Sequence, residues 1–203
     1  MSDAVWLILY GLNDGRTEEY VDWFHGVHIP EKLARPGYTW ASHYQSEDDN
    51  LVDGGPLCLA LFGAETTAVF HDPSPAQLAP KQPPETKAMM RLRVNSGALI
   101  AAGEWSADAS GRPGPYVPPI EDAAIRLTLC DAAGDDMAFN AWLVQEHLSA
   151  LAPGGRLHKL AATTGNPRHV LIHAGAPGDV PDFPDRWTYP LGRATIAMRK
   201  ISR

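Results

Sequence analysis

The sequence can be laid over itself. With an offset of 119 residues, Trp6 falls on Ile125, Gly15 on Gly134, Tyr20 on Phe139, Trp23 on Trp142 and His28 on His147. Both segments carry W-x-x-x-x-H at the same distance behind an apolar run and a glycine turn, and a run of such matches is the mark of an internal duplication. A duplicated chain has to fold as two like units. Between the copies lies ADASGRPGPYVPP, residues 107–119, which breaks every periodic pattern and reads as a linker. The expected organisation is 1–106 as an N-terminal unit, 107–119 as a linker and 120–203 as a C-terminal unit.

Each copy reads as strand, helix, strand, strand, helix, strand. In the first, the strands are AVWLILYG, YTWASHYQ, LCLALFGA and ALIAAGEW; in the second, AAIRLTLC, RLHKLAATT, HVLIHAG and ATIAMRKI. The first helix is expected to open with Thr17 as its N-cap, helped by Glu18 and Glu19, and to end by Gly37. Its counterpart is DDMAFNAWLVQEHLSAL, whereas PGDVPDFPDRWTYP holds too many prolines for a regular second helix. A βαββαβ unit is the ferredoxin-like arrangement. Its antiparallel sheet normally has one uncovered face, but here both faces are apolar. Val5, Leu7 and Leu9 alternate with Trp6, Ile8 and Tyr10, and Leu57, Leu59 and Leu61 with Cys58, Ala60 and Phe62. Two buried faces predict an α+β fold in which two ferredoxin-like repeats pack sheet to sheet as an intrachain α+β barrel. Such a chain can close its barrel as a monomer, or use leftover edges to form a homodimer.

Composition narrows the partners. The net charge of -7 comes from the first part, since 1–106 holds 7 basic and 14 acidic residues while 120–203 holds 9 of each. No basic stripe is present to neutralise phosphates, which argues against nucleic acid. No segment approaches the roughly 20 apolar residues of a membrane span, and MSDAVWLILYG lacks the basic start of a secretory signal. Cys58 and Cys130 both lie in apolar runs and are expected to be buried free thiols, which fits a cytoplasmic protein.

The stretch DWFHGVHIPEKLARPGY, residues 22–38, concentrates the chemistry. On a helical wheel His28 shares the apolar stripe with Tyr20, Val21, Phe24 and Val27, while His25 lies toward the polar side with Asp22. Pro30 removes the amide that would bond the Gly26 carbonyl, so the helix is expected to kink beneath His28 and leave a polar notch in an apolar wall. The alternative is a core histidine tied to a backbone carbonyl. Metal binding by His25 and His28 is disfavoured because they diverge on the wheel, and His169 and His173 lie about 13 Å apart along a strand. Arg91 and Arg93 could receive an acidic substrate, although arginines near a helix end are more often solvated. Arg126, Thr128 and Cys130 on one strand, and His169 and His173 on another, are expected to form a solvated face, with a second site as the alternative. No nucleotide loop or nucleophile elbow appears, so no cofactor is expected.

Trp23, His28, Pro30, Pro36, Gly37, Tyr38 and Tyr44 form a pattern, W-x-x-x-x-H-x-P then P-G-[YF] and a strand ending in Tyr, that resembles the EthD-like members of the dimeric α+β barrel superfamily. Relatives in that superfamily include polyketide dehydratases, cofactor-free monooxygenases and muconolactone isomerases, and some tandem members bind haem through a histidine. The resemblance implies that His28 faces a cavity between helix and sheet. The second copy departs from the pattern: Ser149 stands for Pro30, Gly-Gly for Pro-Gly and Ala162 for Tyr44. It is expected to lack the kink and to serve as a structural partner. The function this implies is a cofactor-independent lyase or isomerase acting by proton transfer on a small apolar carbonyl or aromatic metabolite. His28 and Tyr44 would be catalytic, and Trp23, Trp40, Tyr20, Phe24 and His25 would bind substrate, with Trp40 and Tyr44 contributing if their strand face meets the helix. A non-catalytic binding module for a hydrophobic small molecule, or a cofactor-free monooxygenase, is the alternative.

Overall fold

Strands with apolar residues at every position need partners on both faces, and the architecture supplies them. The computed structural model describes residues 3–12, 15–48, 55–175, 180–189 and 195–202. The N-terminal half contributes β1 (Ala4–Leu12), β2 (Tyr38–Ser46), β3 (Leu57–Ala64) and β4 (Arg93–Ala107). A short β5 (Pro113–Gly114) follows, and then β6 (Ala124–Cys130), β7 (Gly155–Thr164), β8 (His169–Gly175) and β9 (Ile196–Lys200). Going round the sheet, β4-β1-β3-β2 is followed by β9-β6-β8-β7, and β7 returns to β4. Eight antiparallel strands thus form a closed ring, and each half arranges its four strands in the same order. The fifteen-residue β4 makes the closure possible, because its first part pairs with β1 and its second with β7. The other seam joins β2 to β9 through Tyr44–Ser46 and Met198–Lys200.

The inner faces meet in one core that contains Val5, Leu59 and Leu61 from the first half with Leu127, Val170 and Ile172 from the second. The outer faces are covered separately. Over the first half lie α1 (Thr17–Trp23), a π-helical turn Phe24–His28, α2 (Ile29–Leu33) and the short helices α3 (Pro75–Leu78) and α4 (Pro84–Met90). Over the second lie α5 (Asp136–Trp142), a π-helical turn Leu143–His147 and the single turn α6 (Leu148–Ala150). Burying a large apolar side chain contributes about 1.5–3 kcal/mol, so all three cores matter to stability.

Three expectations change. Thr17 is the first helical residue and not the cap; Arg16 holds the cap position without a side-chain bond, although Asp135 does cap α5 by accepting from the Ala138 amide. Residues 107–119 are not a loose linker. β5 pairs with the end of β4, and the Tyr116 ring lies on Gly103, where a Cβ would sit 2.2 Å from it. The third change is the helix break, which occurs in both halves. In each, an amide bonds five residues back, Ile29 to Phe24 and Leu148 to Leu143. Proline cannot be the common cause, since Ser149 occupies the second position. What the turns share is Trp-x-x-x-x-His. Residues five apart on a regular α-helix diverge by about 140°, and one widened turn brings them together. The Trp23 and His28 rings are 4.9 Å apart, and those of Trp142 and His147 are 5.0 Å apart. Parts of PGDVPDFPDRWTYP and the start of ATIAMRKI lie outside the described residues.

Candidate functional site

The π turn delivers His28 into the layer between helix and sheet, 3% exposed and boxed by Trp23, Phe24 and Phe62. Its Nδ1 is buried without a hydrogen-bond partner, as is the Trp23 indole nitrogen. Burial, reinforced by Lys32, Arg93 and Arg35, pushes the His28 pKa down to about 3. The imidazole is therefore neutral at physiological pH, and what it can do first is accept a proton.

Beside His28 opens a cleft of about 350 Å³, within the size range of small-molecule sites. Its walls are α2 and the segment around α3 and α4, and they include Glu31, Arg35, Lys81, Gln82 and Thr86. The cleft thus sets charged side chains among apolar surface from Ala34, Leu78 and Pro83. Positive charge continues into the layer. Lys32 is 3% exposed, with Nζ 4.9 Å above the Trp6 ring, and burial plus Arg35 and Arg93 lowers it to about 8. Arg93, which the sequence left as a solvated residue, lies 4.2 Å over the Tyr10 ring and donates to the Tyr20 hydroxyl at 2.7 Å. Lys32 sits one turn after His28 on the same face, a wheel signal that the sequence reading passed over.

A hydrogen-bonded chain runs beside this group. The Tyr10 hydroxyl meets His43 Nε2 at 2.8 Å, and His43 Nδ1 meets His25 Nε2 at 3.0 Å. His25 is therefore engaged with His43 within the layer, while His28 stands apart from that chain. Tyr20 and Phe24 are fully buried core residues, and of the expected binding residues Trp23 and Phe24 contact the His28 ring.

Trp40 and Tyr44 point the other way. Both belong to the barrel interior, with Trp40 against Gly63 and the Tyr44 hydroxyl 2.9 and 3.1 Å from the carbonyls of Pro119 and Asp122. Their strand face does not meet the helix, so the structure separates Tyr44 from His28. The face of β2 with Trp40, Ser42, Tyr44 and Ser46 is buried while the other buries only His43, and alternation alone could not say which one met the helix.

In the second half, His147 Nε2 and His173 Nε2 lie 2.8 Å apart, and Phe183 packs on both rings. Burial lowers His147 to about 4 and His173 to about 3, the latter also by its histidine neighbour. The expected solvated face is buried: Thr128, Cys130, His169 and His173 are all at most 5% exposed. The adjoining cavity is about 100 Å³ and includes His173, Arg126 and Arg156. Haem does not fit here, because His147 Nε2 is held by His173 and aromatic rings fill the space around it. Among the described residues no cluster of three or more potential ligands could hold a metal ion, and no helix is long and apolar enough to cross a membrane.

The closed ring of antiparallel strands with helices outside defines an α+β barrel. Solved structures with this fold include a chlorite dismutase variant from Candidatus Nitrospira defluvii, 14% identical, with a TM-score of 0.57 over 100% of this chain and 93% of that one. An anthrone oxidase-like protein is 12% identical at 0.56 over 100% and 92%, and a candidate monooxygenase from Fusobacterium nucleatum is 8% identical at 0.54 over 86% and 76%. At these identities the likeness is one of fold. No family model matches the sequence, and a search of curated proteins found no match.

Proposed function

We propose that the chain is a tandem pair of ferredoxin-like units in which the N-terminal one is a cofactor-independent, proton-transferring enzyme of dehydratase or isomerase type. The common strand order and the paired π turns support the duplication, and a ring closed within one chain needs no partner strand. The observation that carries the enzymatic reading is His28 itself, a buried neutral imidazole with an unbonded nitrogen beside a cleft large enough for a metabolite. A base placed against a carbon acid removes a proton; the resulting carbanion or enolate then expels a leaving group or is reprotonated elsewhere. Nearby Arg35 and Lys32 would stabilise the developing negative charge.

The neighbours described as a candidate monooxygenase and an anthrone oxidase-like protein favour a second outcome from the same first step, in which the carbanion meets oxygen. The two are separated by a screen of carbonyl and phenolic compounds with deuterium exchange and oxygen consumption read in parallel. His28→Gln should abolish exchange at the substrate carbon. Full exchange in that variant contradicts the proposal, and stoichiometric oxygen uptake selects the second outcome.

A further inference from the structure

Four cations around the His28 layer, Lys32, Arg35, Lys81 and Arg93, have no carboxylate partner among the described residues. Among the described residues, lysine and arginine ion pairs within 4 Å join Arg16 to Glu19 at the exposed start of α1, and Lys159 to Glu104, Arg156 to Asp122 and Arg168 to Asp136 in or against the second half. None joins Lys32, Arg35, Lys81 or Arg93 to an acid, and buried nitrogens of Arg35 (Nη1) and Arg93 (Nη2) have no hydrogen-bond partner. Removing cations from water without a counter-charge is costly, and folded chains ordinarily avoid it. Arg35 and Lys81 line the cleft together with a single carboxylate, Glu31, so the walls carry one positive charge in excess next to a neutral His28. Gln82 and Thr86 add neutral hydrogen-bonding groups, while Ala34, Leu78 and Pro83 offer apolar surface.

We propose that this cleft receives the carboxylate of a small, partly apolar organic acid, with Arg35 and Lys81 as its charged contacts and Lys32 and Arg93 adding positive potential from within the layer. A monoanion matches the single excess charge better than a dianionic phosphate does, and the planar guanidinium suits a carboxylate. The proposal rests on the His28 reading and deepens it by naming the substrate class. Docking an anion would offset the cations that add to burial in lowering the imidazole, which would make His28 a somewhat stronger base once substrate is bound.

The test is calorimetric titration of the full chain in low-chloride buffer with benzoate, acetate and inorganic phosphate. Saturable benzoate binding is expected, weakened about tenfold or more by Arg35→Gln and several-fold by Lys81→Gln, with Arg168→Gln unchanged. Lys81 is exposed, so its variant keeps the test valid if Arg35→Gln fails to fold. No saturable carboxylate binding, or equal binding by both cleft variants, overturns the proposal, and tighter binding of phosphate overturns the choice of carboxylate. Benzoate binding that survives His28→Ala supports the anion site even if no turnover is ever found, which separates its fate from that of the enzymatic reading.

Discussion

The two halves of the barrel share strand order, π turn and a Trp–His contact, yet they treat buried charge differently. In the second half the buried charges are paired, Lys159 with Glu104 of β4 and Asp122 with Arg156, and His147 bonds His173, although both of these histidines keep Nδ1 unbonded. In the first, Lys32 is buried without an acid, and His28, Arg35 and Trp23 keep buried nitrogens unbonded. The difference that remains is one of charge: Lys159 and Asp122 are buried with a counter-charge, whereas Lys32 is buried without one.

The largest expected effect is acid lability. His28, His147 and His173 are held at about 3, 4 and 3 against an ordinary 6.5, so above pH 6.5 they contribute no pH dependence. As pH falls below that value the unfolded chain binds protons that the native one refuses. Each such imidazole then removes about 1.4 kcal/mol per pH unit until its folded pKa is reached. Three together would outrun the stability of a typical domain, so unfolding is expected between pH 6 and 4 by circular dichroism. A native spectrum at pH 3.5 would break this account of both halves.

Next in size is the paired half. Glu104→Gln leaves Lys159, which is fully buried, without its counter-charge, and a loss of about 2–4 kcal/mol is expected in urea unfolding. The matching change in the first half, Lys32→Met, removes a cation that has no acid and keeps most of its apolar stem. It should be neutral or stabilising by about 1 kcal/mol at pH 7. Comparable losses in the two variants would mean that Lys32 has a structural partner after all.

Much of this was legible in the sequence, for stated reasons. The strands LCLALFGA and HVLIHAG end where apolar runs meet turn residues, and the duplication located Trp142 and His147 opposite Trp23 and His28. Face assignment was not legible. A period of two groups Trp40 with Tyr44 and sets His43 apart, but it could not tell that the first pair looks into the barrel while His43 looks at the helix. The second π turn was missed because the break was attributed to Pro30, when the widened turn follows Trp-x-x-x-x-His in both copies. The charged wall with Lys81 was not legible because it comes from short helices around α3 and α4, whose docking against α2 is a tertiary fact.

Near-isosteric replacement of the two equivalent histidines tests the central contrast most directly. His147→Leu orphans a buried nitrogen of His173 and should lower the unfolding free energy by about 1–3 kcal/mol. His28→Leu deletes a buried nitrogen that has no partner, so its unfolding free energy should be unchanged or slightly raised. Measured side by side in urea at pH 7.5, that order supports a structural His147 and a functional His28. Equal losses, or a larger loss for His28→Leu, would contradict it and return His28 to the core.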